Sequence, residues 1–133
     1  YGEEFSAQII ENSNELGKTL EDLGHEVRHA PDGSISHTHQ VHLYIDKLGD
    51  RKQLYERLVK NNISTNFDDR IGGRLFIRLG TQEITRRGMK KKEMIEIASL
   101  LTRTLRNDST LEEVKAFNEK FSKIYYGFEK DML

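Results

Sequence analysis

The sequence contains no cysteine and only one proline, Pro31. The absence of cysteine excludes a disulfide framework and a metal site built on thiolates, and it is compatible with the cytosol. Charged side chains make up 32% of the chain, but 21 basic and 22 acidic residues leave a formal net charge of -1. Because neither sign of charge is in excess, the net charge does not favour nucleic acid or an anionic membrane as a partner.

Long apolar runs are also missing. None approaches the roughly 20 residues that a membrane-spanning helix needs, and no signal-like segment opens the chain. We therefore expect a soluble, cytoplasmic protein that binds neither nucleic acid nor membrane. The 133 residues, of which 35% are hydrophobic, suffice for one core but not for two. We expect a single domain over residues 1–133, and the opening residue, Tyr1, suggests a piece of a longer protein.

Four helices are predicted from apolar residues that recur at helical spacing. Asp50 is the expected N-cap of the second helix, and Gly24 is expected to end the first. The predicted helices lie at about residues 3–23, 51–60 and 90–105, and after a capping box at residues 109–112.

Strands are predicted at residues 26–30, 41–46 and 63–67, and again from Arg74. Asp68 and Asp69 fall in a polar turn that ends at the two glycines 72 and 73. Helices lie between some strands, whereas others are close enough to form hairpins. This order predicts an α/β (α+β) two-layer sandwich, with a small mixed or mainly antiparallel sheet of three or four strands covered by helices.

The chemical signature of the chain lies in the segment from Arg74 to Met89. Leu75, Ile77 and Leu79 share one strand face, so Arg78 points away from the core. From spacing alone, Arg78 is most simply an ordinary solvated arginine on a strand.

The residues around Arg78 add a family resemblance. Residues 78–81 read Arg-Leu-Gly-Thr and residues 84–88 read Ile-Thr-Arg-Arg-Gly, which closely resembles the substrate-carboxylate segment of serine hydroxymethyltransferases. Residues 38–46 and 49–66 are similar to the strand and helix that precede this segment in the family. Members are pyridoxal-phosphate (PLP) enzymes of the aspartate aminotransferase fold, also called fold type I. The resemblance implies the C-terminal small domain of such an enzyme, with residues 3–23 as a linker helix.

The resemblance also implies a site. Arg78 matches the arginine that grips the carboxylate of the amino-acid substrate, and a planar guanidinium presents two parallel donors to such a group. Asn66, Gly80 and Thr81 are expected to contribute to the site wall. No catalytic residue is expected in this chain, because the Schiff-base lysine and the phosphate-binding residues belong to the large domain that precedes it in the family. The chain alone is therefore expected to bind no PLP and to be inactive.

The implied reaction is that of a glycine hydroxymethyltransferase of one-carbon metabolism, acting on the Cα–Cβ bond of a β-hydroxy amino acid. Residues 67–77 form a shorter connection than in the family, where this region contributes to the folate site. The resemblance therefore does not imply that this protein uses tetrahydrofolate. A related PLP aldolase or transaldolase that uses no folate stays open, as does a stand-alone α/β binding module. The full-length protein is expected to be a homodimer. Because the dimer interface of the family lies mainly in the preceding part, the isolated chain could be a monomer.

Three histidines invite comparison with a metal site. His37 and His39 would share a strand face, but His42 falls on the other face and no third ligand of the same parity follows. The spacing therefore favours a titrating histidine cluster near the surface, and we expect no metal.

Overall fold

The computed structural model describes residues 2–35, 38–71 and 73–122, the side chains of 66–71 excepted. Five helices and three strands follow one another in these residues. They are α1 (Gly2–Asp22), β1 (Gln40–Tyr44), α2 (Arg51–Lys60), β2 (Asn66–Ile71), β3 (Arg74–Gly80), α3 (Gln82–Arg86), α4 (Lys91–Leu105) and α5 (Leu111–Lys120).

The three strands form one antiparallel sheet in the order β1-β3-β2, which places β3 at its centre. The core cluster joins side chains from the inner face of the sheet, such as Leu43 and Ile77, to others from the helices, such as Leu16, Leu54 and Met94. The predicted sandwich of a small sheet and covering helices is confirmed.

Helix α1 occupies almost the span that periodicity predicted. Ile9, Leu16 and Leu20 are buried on one face, as the apolar spacing requires. Gly24 follows the helix with a φ of +97°, a conformation that glycine adopts without steric cost, so it ends the helix as predicted.

The predicted strand at residues 26–30 is reduced to a single bridge between Val27 and Leu43. Two hydrogen bonds surround it, from Arg28 N to His42 O at 2.9 Å and from Tyr44 N to Glu26 O at 3.0 Å. Pairing stops there because the chain enters a turn, in which Ala30 N donates to Ser34 O and Gly33 N donates to Ala30 O. These main-chain donors are no longer available to extend the sheet.

The placement of Asp68 and Asp69 in a turn was wrong. Both belong to β2, where Asp69 lies opposite Phe76 after a register shift that begins at Asn66. Strand β2 ends at Ile71 and β3 begins at Arg74, and Gly73 between them has a φ of +79°. Pairing with the central strand outweighs the low β-propensity of aspartate, which is a weak local preference.

At the other helix ends, one cap prediction is confirmed and one is wrong. Asp50 accepts a hydrogen bond from Gln53 N at 3.2 Å, as expected of the N-cap of α2. Helix α5 begins after Thr110, one residue later than the predicted capping box, and Thr110 makes no side-chain cap. Its hydroxyl bonds instead to the hydroxyl of Thr104.

Candidate functional site

Arg78 lies on the central strand of the sheet. In the β-sheet register it is opposite His42 of β1 and opposite Asn66 of β2. The neighbouring residues Ile77 and Leu79 face the core, Ile77 with no exposed surface. The Arg78 side chain is half-buried and its Nε atom is inaccessible to solvent. Main-chain pairing on both sides therefore holds Arg78 on the most constrained strand of the sheet.

A cavity of about 460 Å³ adjoins this end of the sheet. Arg78 and Gly80 line it together with Thr65, at the point where the chain enters β2. Apolar side chains form most of its remaining wall, among them Leu101 and Phe117 of the helices. Its size falls in the range of small-molecule sites, in which an apolar lining is combined with a few polar groups.

Arg74, on the same face of β3, has a different environment. Its Nε and Nη2 atoms donate to both carboxylate oxygens of Asp46 at 3.2 and 3.0 Å, and its Nη1 donates to Glu26 at 2.8 Å. The guanidinium also lies 4.0 Å from the centroid of the Tyr44 ring. These hydrogen bonds from Arg74 lower the pKa values of the Glu26 and Asp46 carboxyl groups. Arg74 is therefore committed to carboxylates of its own chain.

Thr81 directly follows β3 and is completely buried. Its main-chain N–H donates to His39 O at 2.8 Å, which continues the β1–β3 pairing beyond Gly80. Its hydroxyl lies 2.7 Å from the hydroxyl of Ser13 in α1 and donates towards Ile9 O at 3.2 Å. The side chain thus faces the interior, where its hydroxyl contacts α1 and also lies 3.2 Å from His39 O.

A second buried polar contact joins α1 to the segment after Thr81. The Asn12 amide donates to Thr85 Oγ1 and to Met89 O, each at 2.9 Å. The Thr85 hydroxyl in turn donates to Thr81 O at 2.6 Å. Sequence reasoning missed this network. Its signal was the pair Asn12 and Ser13 in the middle of an otherwise apolar helix face.

The other predicted wall residues lie close to Arg78 along the sheet. Asn66 is its main-chain neighbour on β2, and Gly80 pairs with Gln40 two residues further along β3. Asn66, Arg78 and Gly80 are therefore brought to one end of the sheet, whereas the Thr81 side chain turns inward. Their contact with a substrate stays a prediction.

The histidine group is only partly described, since His37 lies outside the described residues. The His42 ring approaches Gln40 Oε1 at 3.0 Å and packs against Phe76 with ring centroids 4.9 Å apart. In the described part of the chain, no three side chains of the His, Cys, Asp and Glu types are arranged to hold a metal ion.

Another histidine, His25, is buried. Its Nε2 lies 2.8 Å from Thr102 Oγ1. Burial lowers the pKa of the His25 imidazole, and the charge of Arg106 lowers it further.

Comparisons with known proteins identify relatives of the chain and a similar fold. The chain is 35% identical over 140 residues to the serine hydroxymethyltransferase of Methanothermobacter marburgensis, covering 98% of the chain and 32% of that protein. It is 33% identical over 142 residues to the serine hydroxymethyltransferase of Methanocella arvoryzae, covering 98% and 33%. The crystal structure of the L-threonine transaldolase of Pseudomonas fluorescens, in its internal aldimine state, superposes with a TM-score of 0.81 at 28% identity, over 97% of the chain and 31% of that protein. No protein-family model matches the chain.

The fold and the similarity over almost the whole chain therefore place it in the fold-type-I class of PLP enzymes. Within this class, the chain belongs with the serine hydroxymethyltransferase-like proteins and matches their C-terminal part. The predicted resemblance to this family is thereby confirmed for the chain as a whole. The chain spans about a third of the length of the curated relatives it matches.

The described residues do not fit a binding site for PLP itself. Enzymes of this kind hold the cofactor through a lysine imine and a set of groups around its phosphate. Every lysine in the described part of the chain is exposed, from Lys18 in α1 to Lys120 in α5.

Among the described helices, none combines the length and apolar character needed to cross a membrane.

Proposed function

We propose that the chain is the C-terminal, substrate-binding domain of a larger PLP-dependent enzyme of the glycine hydroxymethyltransferase type. Arg78 binds the carboxylate of the amino-acid substrate, while the cofactor and the covalent chemistry belong to the preceding part of the protein. The reaction is cleavage or transfer at the Cα–Cβ bond of a β-hydroxy amino acid. The complete enzyme is a homodimer, and the isolated chain is inactive.

One observation carries the proposal. Arg78 lies in the segment that resembles the family's carboxylate-binding segment, and this segment is the central strand, paired on one side with His42 and on the other with Asn66. A guanidinium on such a strand offers a fork of two donors from a rigid support. Holding the carboxylate at one place orients the remaining bonds of the amino acid, which is a large part of what a substrate-binding residue contributes.

A second candidate is a PLP transaldolase or aldolase that needs no folate. Two observations favour it. One structural neighbour is an L-threonine transaldolase, and the connection between Asn66 and Arg78 is a short β2–β3 hairpin with a register shift after Asn66. Such a hairpin leaves little chain with which to build the folate contacts of the longer connection in the hydroxymethyltransferases.

The carboxylate assignment is tested by Arg78→Lys in the complete protein. Lysine keeps the charge but loses the fork, so glycine and serine should bind more weakly by about 1.5–3 kcal/mol, the range for hydrogen bonds to charged groups. Isothermal titration calorimetry measures the affinity directly. Arg74→Lys is the matched control, since it makes the same change four residues earlier on the same strand face and should leave the affinity unchanged. Equal affinity of Arg78→Lys and the unmodified protein would contradict the assignment.

Folate use separates the two candidates. Serine cleavage by the complete protein should require tetrahydrofolate as the one-carbon acceptor if it is a hydroxymethyltransferase. Activity on a β-hydroxy amino acid with an aldehyde in place of tetrahydrofolate would support the transaldolase. If the complete protein lacks the visible absorption of a PLP–lysine imine, both enzyme assignments fail and a non-catalytic binding module is left.

A further inference from the structure

The strand that carries Arg78 is held in place at its end. Beyond the last β1–β3 pair, Gln40 with Gly80, the chain makes one more main-chain bond from Thr81 N to His39 O at 2.8 Å. Thr81 therefore sets where β3 ends, three residues after Arg78. A shift of Thr81 along the strand direction would shift Arg78 with it, because the residues between them are paired and extended.

Thr81 is itself held by helix α1. The hydroxyls of Thr81 and Ser13 lie 2.7 Å apart, and Thr81 Oγ1 is 3.2 Å from Ile9 O. Both side chains have no exposed surface. Separating them would leave the buried Ser13 hydroxyl without this partner and Thr81 Oγ1 with His39 O alone, at 3.2 Å. A buried hydroxyl that loses its partner costs more than a hydrogen bond contributes on average.

A further contact fixes the same helix to the segment after Thr81. Asn12 has no exposed surface, and its amide donates to Thr85 Oγ1 and to Met89 O while its Oδ1 accepts from Gln8 at 2.9 Å. Hydrogen bonds need specific distances and angles, whereas apolar packing tolerates small displacements. The relative position of α1 and the end of β3 is thus specified by directional contacts at Asn12, Ser13 and Thr81.

We propose that Asn12, Ser13 and Thr81 are positioning residues that couple helix α1 to Arg78. The inference rests on the proposed function, in which α1 links this domain to the part of the enzyme that carries the cofactor. The network then sets the position of the Arg78 guanidinium relative to that part. The affinity for the substrate carboxylate therefore depends on this network, although none of the three side chains needs to touch the substrate.

The test is a double-mutant cycle in the complete, PLP-loaded protein, with glycine affinity measured by isothermal titration calorimetry. Thr81→Val removes the hydroxyl and keeps the shape, and should weaken glycine binding about tenfold, the equivalent of one hydrogen bond to a charged group. In the Arg78→Lys background the same change should have less than about a twofold effect, because the interaction being positioned is already lost. The separate variant Thr81→Ser keeps the hydroxyl and should bind glycine with the affinity of the unmodified protein.

Thr104→Val is the matched control. Thr104 is as fully buried as Thr81, and its hydroxyl is likewise bonded to a second hydroxyl. That partner is Thr110, at the junction of α4 and α5. Both valine variants should lower the unfolding temperature, and only Thr81→Val should weaken glycine binding. Equal losses of affinity in Thr81→Val and Thr104→Val would overturn the proposal, as would equal effects of Thr81→Val in both backgrounds.

Two further outcomes distinguish a failure of the positioning role from a failure of the proposed function. If Arg78→Lys weakens glycine binding but Thr81→Val does not, the positioning role is overturned and the function of Arg78 stands. If Arg78→Lys itself has no effect, the proposed function fails, and the positioning role fails with it. Should Thr81→Val not fold, Ser13→Ala takes its place in the cycle with the same expected dependence on Arg78.

Discussion

Arg74 and Arg78 share one face of β3, but their surroundings assign them different roles. Arg74 is bonded to Asp46 and Glu26 and covers Tyr44, so it ties strands β1 and β3 to the segment before Pro31. Arg78 lies further along the strand, between His42 and Asn66, and lines the cavity. The alternation of the strand could not distinguish the two arginines, because the acidic partners of Arg74 are distant in sequence.

His25 should make the protein less stable in acid. Burial and Arg106 lower the pKa of folded His25 below the ordinary value of about 6.5, so the unfolded chain takes up a proton first. The stabilisation by neutral His25 is present above about pH 6.5 and is lost as the pH falls from there towards the lowered pKa. Urea unfolding at about pH 7.5 and about pH 5 should show a smaller acid loss in His25→Gln than in the unmodified protein.

His29 provides a control of the opposite sign. The hydrogen bond to Glu21 raises the pKa of His29, and the bond to Gly33 O raises it further. Its stabilising effect is therefore present below about pH 6.5 and is lost as the pH rises through the raised pKa. The effect is small because both partners are solvent-exposed. His29→Gln should lose slightly more stability on acidification than the unmodified protein, and a change in the same direction as His25→Gln would contradict this account.

Among the elements, α1 shows how a close approach constrains a helix. Gly17 is buried in the middle of the helix, where a Cβ atom would lie 2.2 Å from Cγ2 of Ile35. Glycine normally weakens a helix relative to alanine. At this position it allows the segment after Gly33 to pack directly on the helix backbone.

Gly17→Ala should therefore destabilise the protein, by about 1–3 kcal/mol as for other overpacked sites, although alanine favours a helix. The measurement is the free energy of unfolding in urea. Gly2→Ala is the control on the same helix, since a Cβ there would meet nothing within 4 Å and should not destabilise. Combining Gly17→Ala with Ile35→Ala should cost less than the sum of the two single changes, because the second change removes the clash. Full additivity would exclude a steric cause.

At the scale of the whole molecule, the described residues supply the substrate-binding half of the proposed active site. The sheet presents Arg78, but the described lysines are all exposed and the chain spans about a third of the relatives it matches. A PLP enzyme needs the cofactor to be held and oriented by protein groups near its reactive atoms. The chain and the preceding part are thus expected to function only together.

The isolated chain should accordingly fail to bind PLP, whereas the complete protein should bind it. The measurement is the visible absorption of the PLP–lysine imine after dialysis, with circular dichroism to show that the isolated chain has retained its helices. The complete protein purified in parallel is the control. Stoichiometric imine formation by a folded, isolated chain would contradict the division of roles between the two parts.

Local patterns in the sequence were enough for the long elements. Helical spacing located α1, α2 and α4 to within a residue or two, and Asp50 and Gly24 marked helix ends, because caps and amphipathic faces depend on residues three or four apart. Strand alternation correctly buried Val41, Leu43 and Ile45. The residues around Arg78 were also enough to indicate the family.

Contacts between distant residues were decided by the tertiary structure. Asp68 and Asp69 joined a strand because β3 was available to pair with Asn66 before them and with Asp69 itself. Residues 26–30 kept only one bridge because the following turn used their main-chain groups. The Thr81 side chain points inward, where Ser13, 68 residues earlier, supplies a buried hydroxyl partner. The sequence by itself determined where Arg78 would lie on a strand and which family it resembled. Only the folded chain decided what holds that strand in place, because hydrogen bonds across such separations leave no local pattern.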